Sequence, residues 1–213
     1  SLEKMTEIFI LIITSLFCYL IGSISFGRIL SKLTTGVDIT KVGSGNTGAT
    51  NVLRSSGPAL GLIVLILDMA KSIIPVAVLN QINYFDSNGS IQFFALLFII
   101  GHCYPIYNKF RGGKGVATGI GPLVIIFFPS SLVALIVFII TILFTKYVSA
   151  GSILGCLFAL ISMIFFNLSG SYNSTYYDLI YLLPAITIII YKHSENISRL
   201  INNNENKLSF KKK

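Results

Sequence analysis

The sequence predicts an all-α polytopic membrane protein of about seven transmembrane helices, N-terminus outside and C-terminus cytoplasmic. Three observations carry that reading. Of 213 residues, 54% are hydrophobic and 11% charged, and the mean hydropathy of +0.80 lies far from that of an ordinary soluble domain. Apolar runs near the span length of about 20 residues recur from Ile8 to Tyr191, separated by short polar punctuation. Basic residues between the spans are segregated to alternate loops, as they are on the cytoplasmic side of a membrane.

The expected spans are Glu7 to Leu33, Pro58 to Leu79, Ile91 to Tyr107, Val116 to Phe128, Ser131 to Tyr147, Ser152 to Phe166 and Tyr176 to Tyr191. The first reads as an uncleaved span, because its flank of Glu3, Lys4 and Glu7 is not the basic leader of a signal peptide. The second holds Asp68 and Lys71, three apart and able to pair on one helix face. The fourth is short and contains Gly119, Gly121 and Pro122, so a re-entrant segment, and hence six spans, is its alternative. Lys32, Lys41 and Arg54, then Lys109, Arg111 and Lys114, then Lys146, then Lys192, Arg199 and Lys211 to Lys213 mark the cytoplasmic side. The loops near Asp86, Pro129 and Ser171 have no basic residue. Residues 1–201 read as one transmembrane domain and 202–213 as a basic, disordered cytoplasmic tail. The formal charge of +8 is this bias plus the tail and does not argue for nucleic acid. Cys18, Cys103 and Cys156 lie in or beside apolar spans without a CxxC, so they read as packing residues.

The polar segments gather on one side. "DITKVGSGNTGATNVLR", "NKFRGGKGVATG", "KYVSAGS" and "KHSENISRL" all belong to the cytoplasmic face of this topology. Glycine-rich backbone can line an anion-binding concavity, and Arg and Lys add formal charge. Phosphate binding at the membrane surface is the simplest common reading. "FRGGKGV" is not a P-loop, because Gly115 follows Lys114 where that motif needs Ser or Thr.

"GSGNTGATNVLR", "GHCYPIYNKFRGGKGVAT" and "HSENISRL", in this order and spacing, resemble the three cytoplasmic motifs of the PlsY family, the bacterial acyl-phosphate:glycerol-3-phosphate acyltransferases. The resemblance runs from about Gly22 to Glu205. It implies a seven-helix enzyme of the bacterial inner membrane with its active site facing the cytoplasm. Such an enzyme moves a fatty acyl chain from acyl phosphate to the 1-position hydroxyl of glycerol 3-phosphate, giving lysophosphatidic acid and phosphate. It would use no cofactor or metal and depend on a soluble enzyme that makes acyl phosphate. By resemblance, Ser44 and Arg54 match the first motif's essential pair, and Gly112, Gly113, Lys114 and Gly115 its glycine-rich phosphate loop. His193 and Asn196 match the third-motif pair, and Glu195 fills an acidic, structural position. Gly43, Gly45, Asn46 and Thr118 complete the expected phosphate-binding set. Ser25 stands where the family usually has Pro, and Asn203 to Glu205 stand in place of Gly-x-Glu.

The residues support this chemistry independently. Acyl phosphate is a mixed anhydride with a good leaving group, so orientation and charge neutralisation can suffice. Arg54 offers a bidentate fork and Lys114 a mobile point charge. Ser44 lies in no G-x-S-x-G elbow and has no identifiable relay, so it reads as a hydroxyl donor to phosphate, with a helix N-cap as its alternative. The acceptor's own phosphate, with a second pKa near 6, can take the hydroxyl proton. That leaves His193 and Asn196 to position the acceptor, while His102 reads as a hydrogen-bonded structural histidine. An acyl-CoA or carrier-protein acyltransferase commonly uses H-x-x-x-x-D, but Tyr107 and Ser198 stand at the required positions. A transporter of a small organic phosphate is the other class. It would need mid-membrane polar groups and two related halves, and no internal repeat is visible.

Overall fold

The computed structural model describes residues 2–82, 89–172 and 175–208. The expected loop around Asp86 and the terminal Lys211 to Lys213 lie outside these residues. Ten α-helices follow in order among the described residues: α1 Leu2–Gly22, α2 Phe26–Thr35, α3 Ala49–Ser56, α4 Pro58–Asn80, α5 Ser90–Cys103, α6 Val116–Ile126, α7 Phe128–Thr145, α8 Val148–Ser169, α9 Tyr176–Lys192 and α10 Ser194–Ile201. Among the described residues there is no strand, as an apolar chain in a bilayer requires unless it closes into a barrel.

Five helical stretches among the described residues are long and apolar enough to cross a membrane: Leu2–Thr35, Pro58–Asn80, Ser90–Asn108, Phe128–Thr145 and Val148–Ser169. α9 has 17 residues, at the lower end of span length. α6 has 11 residues, about 16 Å of helix against a hydrocarbon core of about 30 Å. The expected fourth span is therefore a half-length helix. It ends at Phe127, where the chain turns extended (φ −151°), and α7 restarts with a proline in its first turn, the position where a missing N–H costs least.

The first expected span is also interrupted. Between α1 and α2 the chain leaves the helix over Ser23 and Ile24, and Ser25 caps α2. The hydroxyl of Ser23 donates to the Tyr19 carbonyl at 2.8 Å. The freed carbonyl of Ile24 accepts from Lys71 Nζ at 2.8 Å. Lys71 is buried in α4 and also reaches Asp68 Oδ1 at 2.8 Å and His102 Nδ1 at 2.9 Å. An ammonium has three N–H donors, and here three acceptors from α4, α5 and the α1–α2 break take them. The expected Asp68–Lys71 pair forms, and His102 is its structural third member.

The core runs through α5, whose Phe94, Phe98 and Ile99 are buried with Tyr181, Leu182 and Ile186 of α9. α5 packs on α1, α6 and α9, α4 packs on α6, and α7 pairs with α8. Phe144, Ile161 and Leu168 point outward, exposed, as a lipid-facing surface requires. Cys18 and Cys103 are buried, and all three cysteines are free, in keeping with packing roles. A second small cluster of Ile39, Val52 and Val64, with Leu30, Ala49 and Leu60 against it, fastens the loop between α2 and α3 onto α4.

Removing one member of a buried ion pair leaves an uncompensated charge at a cost of about 3–5 kcal/mol. Lys71→Met is expected to destabilise the detergent-solubilised protein by that order in thermal unfolding, and adding Asp68→Asn is expected to recover part of the loss. Equal melting temperatures for all three proteins would count against the network as a fold determinant.

Candidate active site

The loop before α3 is curled around one side chain. Asn51, buried in the first turns of α3, donates through Nδ2 to the carbonyls of Ile39, Val42 and Asn46 at 3.2, 3.0 and 2.9 Å. Its Oδ1 accepts from Ser44 N–H at 3.1 Å. Gly43 has φ +62°, and a Cβ there would lie 2.3 Å from Asn51 Oδ1, so only glycine lets the loop close on this side chain. The arrangement presents Ser44, exposed, at the mouth of a cavity. Gly48, not Ser44, caps α3.

The second loop is held from behind. Arg28 Nη1 donates to Asn108 Oδ1 while its Nε lies 3.7 Å from Asp38, tying the first loop to the second. Asn108 Nδ2 donates to the Arg111 carbonyl. Gly113 N–H bonds the His102 carbonyl at 3.1 Å, and a Cβ on Gly113 would sit 2.1 Å from His102 Nε2. The loop thus lies flat on the end of α5 and delivers Lys114 to the cavity.

The third group comes from the end of α9 and from α10. Lys114 Nζ donates to Asn196 Oδ1. Asn196 Nδ2 donates to Glu205 Oε1 at 3.0 Å, and Glu205 Oε2 accepts from Arg199 Nε at 2.9 Å. Glu205 and Asn196 are buried. Glu195 is largely exposed, its Oε2 3.7 Å from Arg199 Nη1. Arg54 Nη2 donates to the Asn206 carbonyl at 3.0 Å, and Leu208 N–H reaches the Lys146 carbonyl at 2.7 Å. Residues 202–208 are therefore bound across the site, which departs from the tail expected to begin at residue 202. Asn203 adopts φ +56°, a left-handed turn that Asn tolerates. It makes the reversal a glycine would make and brings Glu205 back onto α10.

His193 caps α9 and is buried. Its Nδ1–H donates to the Ile189 carbonyl at 2.8 Å, which leaves Nε2 as an acceptor. Burial is the largest cause that lowers its pKa, to about 4, so the ring is neutral near pH 7 and a weak base. Burial also lowers the Lys114 pKa, to about 8, with the Arg199 charge adding to the effect and Glu205 opposing it.

Ser44, Asn46, Arg54, Lys114, Gly115, His193 and Asn196 line one cavity of about 370 Å³. Gly43, Gly45, Gly112, Gly113 and Thr118 of the expected phosphate-binding set do not line it. The N–H groups of Ser44, Gly45 and Gly113 are already bonded within the protein, so the two glycine loops shape and carry side chains more than they offer a continuous row of donors. Thr118 is buried in the first turn of α6. Asn51, Arg199 and Glu205 also line the cavity and were missed in the sequence. Asn51 stands in the first motif and Glu205 in the Gly-x-Glu position, so both carried a signal. From its polar end the cavity continues between α6, α7, α8 and α9, walled by Leu123, Phe128, Leu135, Ala159, Tyr181 and Ile186. Among the described residues no three His, Cys, Asp or Glu side chains gather as metal ligands.

Residues 12–203 match the family described as Glycerol-3-phosphate acyltransferase. Glycerol-3-phosphate acyltransferase of Shouchella clausii is 43% identical over 206 residues, covering 94% of this chain and 97% of the relative. Glycerol-3-phosphate acyltransferase 2 of Thermotoga maritima is 36% identical, covering 92% and 95%. The fold is similar to the crystal structure of PlsY, an integral membrane glycerol 3-phosphate acyltransferase, in its glycerol 3-phosphate form, with a TM-score of 0.84, 35% identity and coverage of 93% and 96%. The form of that enzyme with lysophosphatidic acid gives a TM-score of 0.82 at 34% identity, with coverage of 94% and 96%. The chain belongs to the glycerol-3-phosphate acyltransferase family.

The Lys114 shift has a pH signature. A cation with a pKa of about 8 is present below that pH and lost above it, so kcat/KM for anionic substrates is expected to fall up to about tenfold per unit above pH 8. His193, neutral above about pH 4, adds no limb near pH 6.5. Lys114→Arg, charged throughout, should flatten the descending limb whatever its absolute rate. An unchanged limb in that variant would assign it elsewhere.

Proposed function

We propose that this glycerol-3-phosphate acyltransferase takes its acyl chain from acyl phosphate and places it on the 1-position hydroxyl of glycerol 3-phosphate, releasing lysophosphatidic acid and inorganic phosphate. The observation that carries this reading is the two-ended cavity, cationic and amide-rich at Arg54, Lys114 and Asn196 and apolar between α6 and α9. That is the shape of a ligand with a phosphate head and a fatty chain. A chain in hydrocarbon gains about 0.8 kcal/mol per buried CH₂, which favours entry of the donor sideways from the bilayer.

In this mechanism Arg54 and Lys114 neutralise phosphate, the Ser44 hydroxyl donates to a phosphate oxygen, and Asn196 is held for its part by Glu205. His193 Nε2 accepts from the acceptor's hydroxyl and aims it at the acyl carbon. The hydroxyl oxygen forms the ester bond, the bond between the acyl carbon and the bridging phosphate oxygen breaks, and phosphate leaves with the electron pair. The hydroxyl proton passes to the acceptor's own phosphate, whose second pKa near 6 suits it better than a histidine held at about 4. No covalent acyl-enzyme is formed. Ser44, exposed on a loop whose N–H faces Asn51, is a donor and not a nucleophile.

The seven-span topology belongs to the same proposal. Five long apolar stretches, with α6 and α9 as two shorter membrane segments, support that count, and Arg54, Lys114 and Arg199 line one cavity. Together with the alternation of basic loops, that arrangement favours an outside N-terminus, a cytoplasmic site and a bacterial inner membrane supplied with acyl phosphate by a soluble enzyme.

Purified protein in detergent is expected to convert long-chain acyl phosphate and glycerol 3-phosphate to lysophosphatidic acid without added metal, with little product from acyl-CoA. Comparable rates with acyl-CoA, or a strict Mg²⁺ requirement, would contradict the donor. Arg54→Ala and Lys114→Ala are each expected to lower kcat/KM by about 100- to 1,000-fold while keeping the fold by thermal unfolding. Near-normal activity in both would remove them from the site.

A further inference from the structure

Three buried hydroxyls among the described residues have no hydrogen-bond partner: Thr47, Thr118 and Ser149. Of these only Ser149 lines the cavity, and it is 94% buried, with 6% exposed. Other serines of α7 and α8 satisfy themselves on their own helix. Ser152 donates to the Val148 carbonyl at 3.0 Å, Ser131 to Phe128 at 2.7 Å and Ser162 to Ala159 at 2.9 Å. Ser149 sits in the first turn of α8 and has no preceding helical turn to bond back to.

The surroundings of that hydroxyl have the chemistry of an anion site. α8 is 22 residues long, and its N-cap, Tyr147, makes no side-chain capping bond. The first N–H groups of a helix have no partner within it and carry about +0.5 of an elementary charge, an arrangement suited to phosphate. α10, with Arg199, packs against α8, and Arg199 lines the same cavity. Beyond Ser149 one stripe of α8 continues as cavity wall through Ser152, Gly155, Cys156 and Ala159, at the spacing of a single helix face. A ligand with its anion at Ser149 therefore has an apolar path laid out behind it. Glycerol 3-phosphate has no chain to place there.

We propose that Ser149 and the first-turn N–H groups of α8 bind the phosphate of the acyl donor, leaving Arg54 and Lys114 to the acceptor's phosphate. This rests on the donor reading above, and it separates two like charges that would otherwise share one set of cations.

The test compares full-length wild type, Ser149→Ala and Ser149→Thr in detergent. Ser149→Ala is expected to raise KM for acyl phosphate about tenfold, the loss of one hydrogen bond to a charged group, with KM for glycerol 3-phosphate within about twofold. Ser149→Thr, which keeps the hydroxyl, should stay near wild type. A rise confined to glycerol 3-phosphate, or no rise, would overturn the assignment. Thermal unfolding with inorganic phosphate alone decides the site without turnover. Phosphate should stabilise wild type more than Ser149→Ala, and equal stabilisation would overturn the proposal. If wild type makes no product from acyl phosphate, the donor reading fails and the thermal comparison still judges the anion site. Should Ser149→Ala lose its fold, Ser149→Cys takes its place under the same criteria.

Discussion

A buried carboxylate has to be paired, and in this protein that constraint organises the site. Glu205 lies beneath the surface with both oxygens used, one by Asn196 and one by Arg199. Since an unpaired charge there would be costly, the chain after α10 must turn back, and Asn203 supplies the turn. With Glu205 holding its Nδ2, Asn196 turns its carbonyl oxygen toward Lys114, which donates to it. The orientation of the amide, the position of the ammonium and the path of residues 202–208 are consequences of one interaction. The same segment then meets Arg54 through the Asn206 carbonyl, so the three motifs, remote in sequence, are joined through residues at the end of the chain.

The rest of the fold serves to bring those motifs to one end of an apolar bundle. The Asp68, Lys71 and His102 network fixes the break between α1 and α2 against α4 and α5. Gly113 rests on His102, so the loop bearing Lys114 is built on that network. Asn51 performs the parallel task for the first loop, and Arg28 ties the two loops together. With the backbone held from behind, the charged side chains are left facing the cavity. α6 is short, and the cavity opens among α6 to α9 as an apolar space beside the polar cluster.

Much of this was legible in the residues. Long apolar runs specify α4, α5, α7 and α8, because hydrocarbon leaves the backbone no partner except itself. Arg54 and Lys114 were legible as cations in glycine-rich loops on one side of the expected topology, and His193 and Asn196 by the resemblance of the third motif; all four line one cavity. The break at Ile24 was not legible, since it is set by where Lys71, distant in sequence, finds an acceptor, whereas the division between α6 and α7 was expected beside Pro129. Gly112 and Gly113, expected in the phosphate-binding set, lie against His102 and do not line the cavity: a glycine that permits close approach of a ligand and one that permits close approach of His102 look alike in a sequence. Glu205 was obscured by its setting, because a run of Asn and Lys has too little apolar surface to read as folded. Its burial comes from charge pairing and not from hydrophobicity.

The central claim is that Glu205 orders the cationic end of the site, and the rate of lysophosphatidic acid formation by Glu205→Ala tests it most directly. Arg199, left with Glu195 as its ion-pair partner, is partly exposed, so water can solvate it and the bundle should keep its fold. The account predicts a loss of about a hundredfold or more in rate, the scale at which misplacement of catalytic groups acts, with melting temperature close to wild type. A rate within about threefold of wild type in the folded variant would show that Lys114 and Asn196 are positioned without it, and would contradict the account.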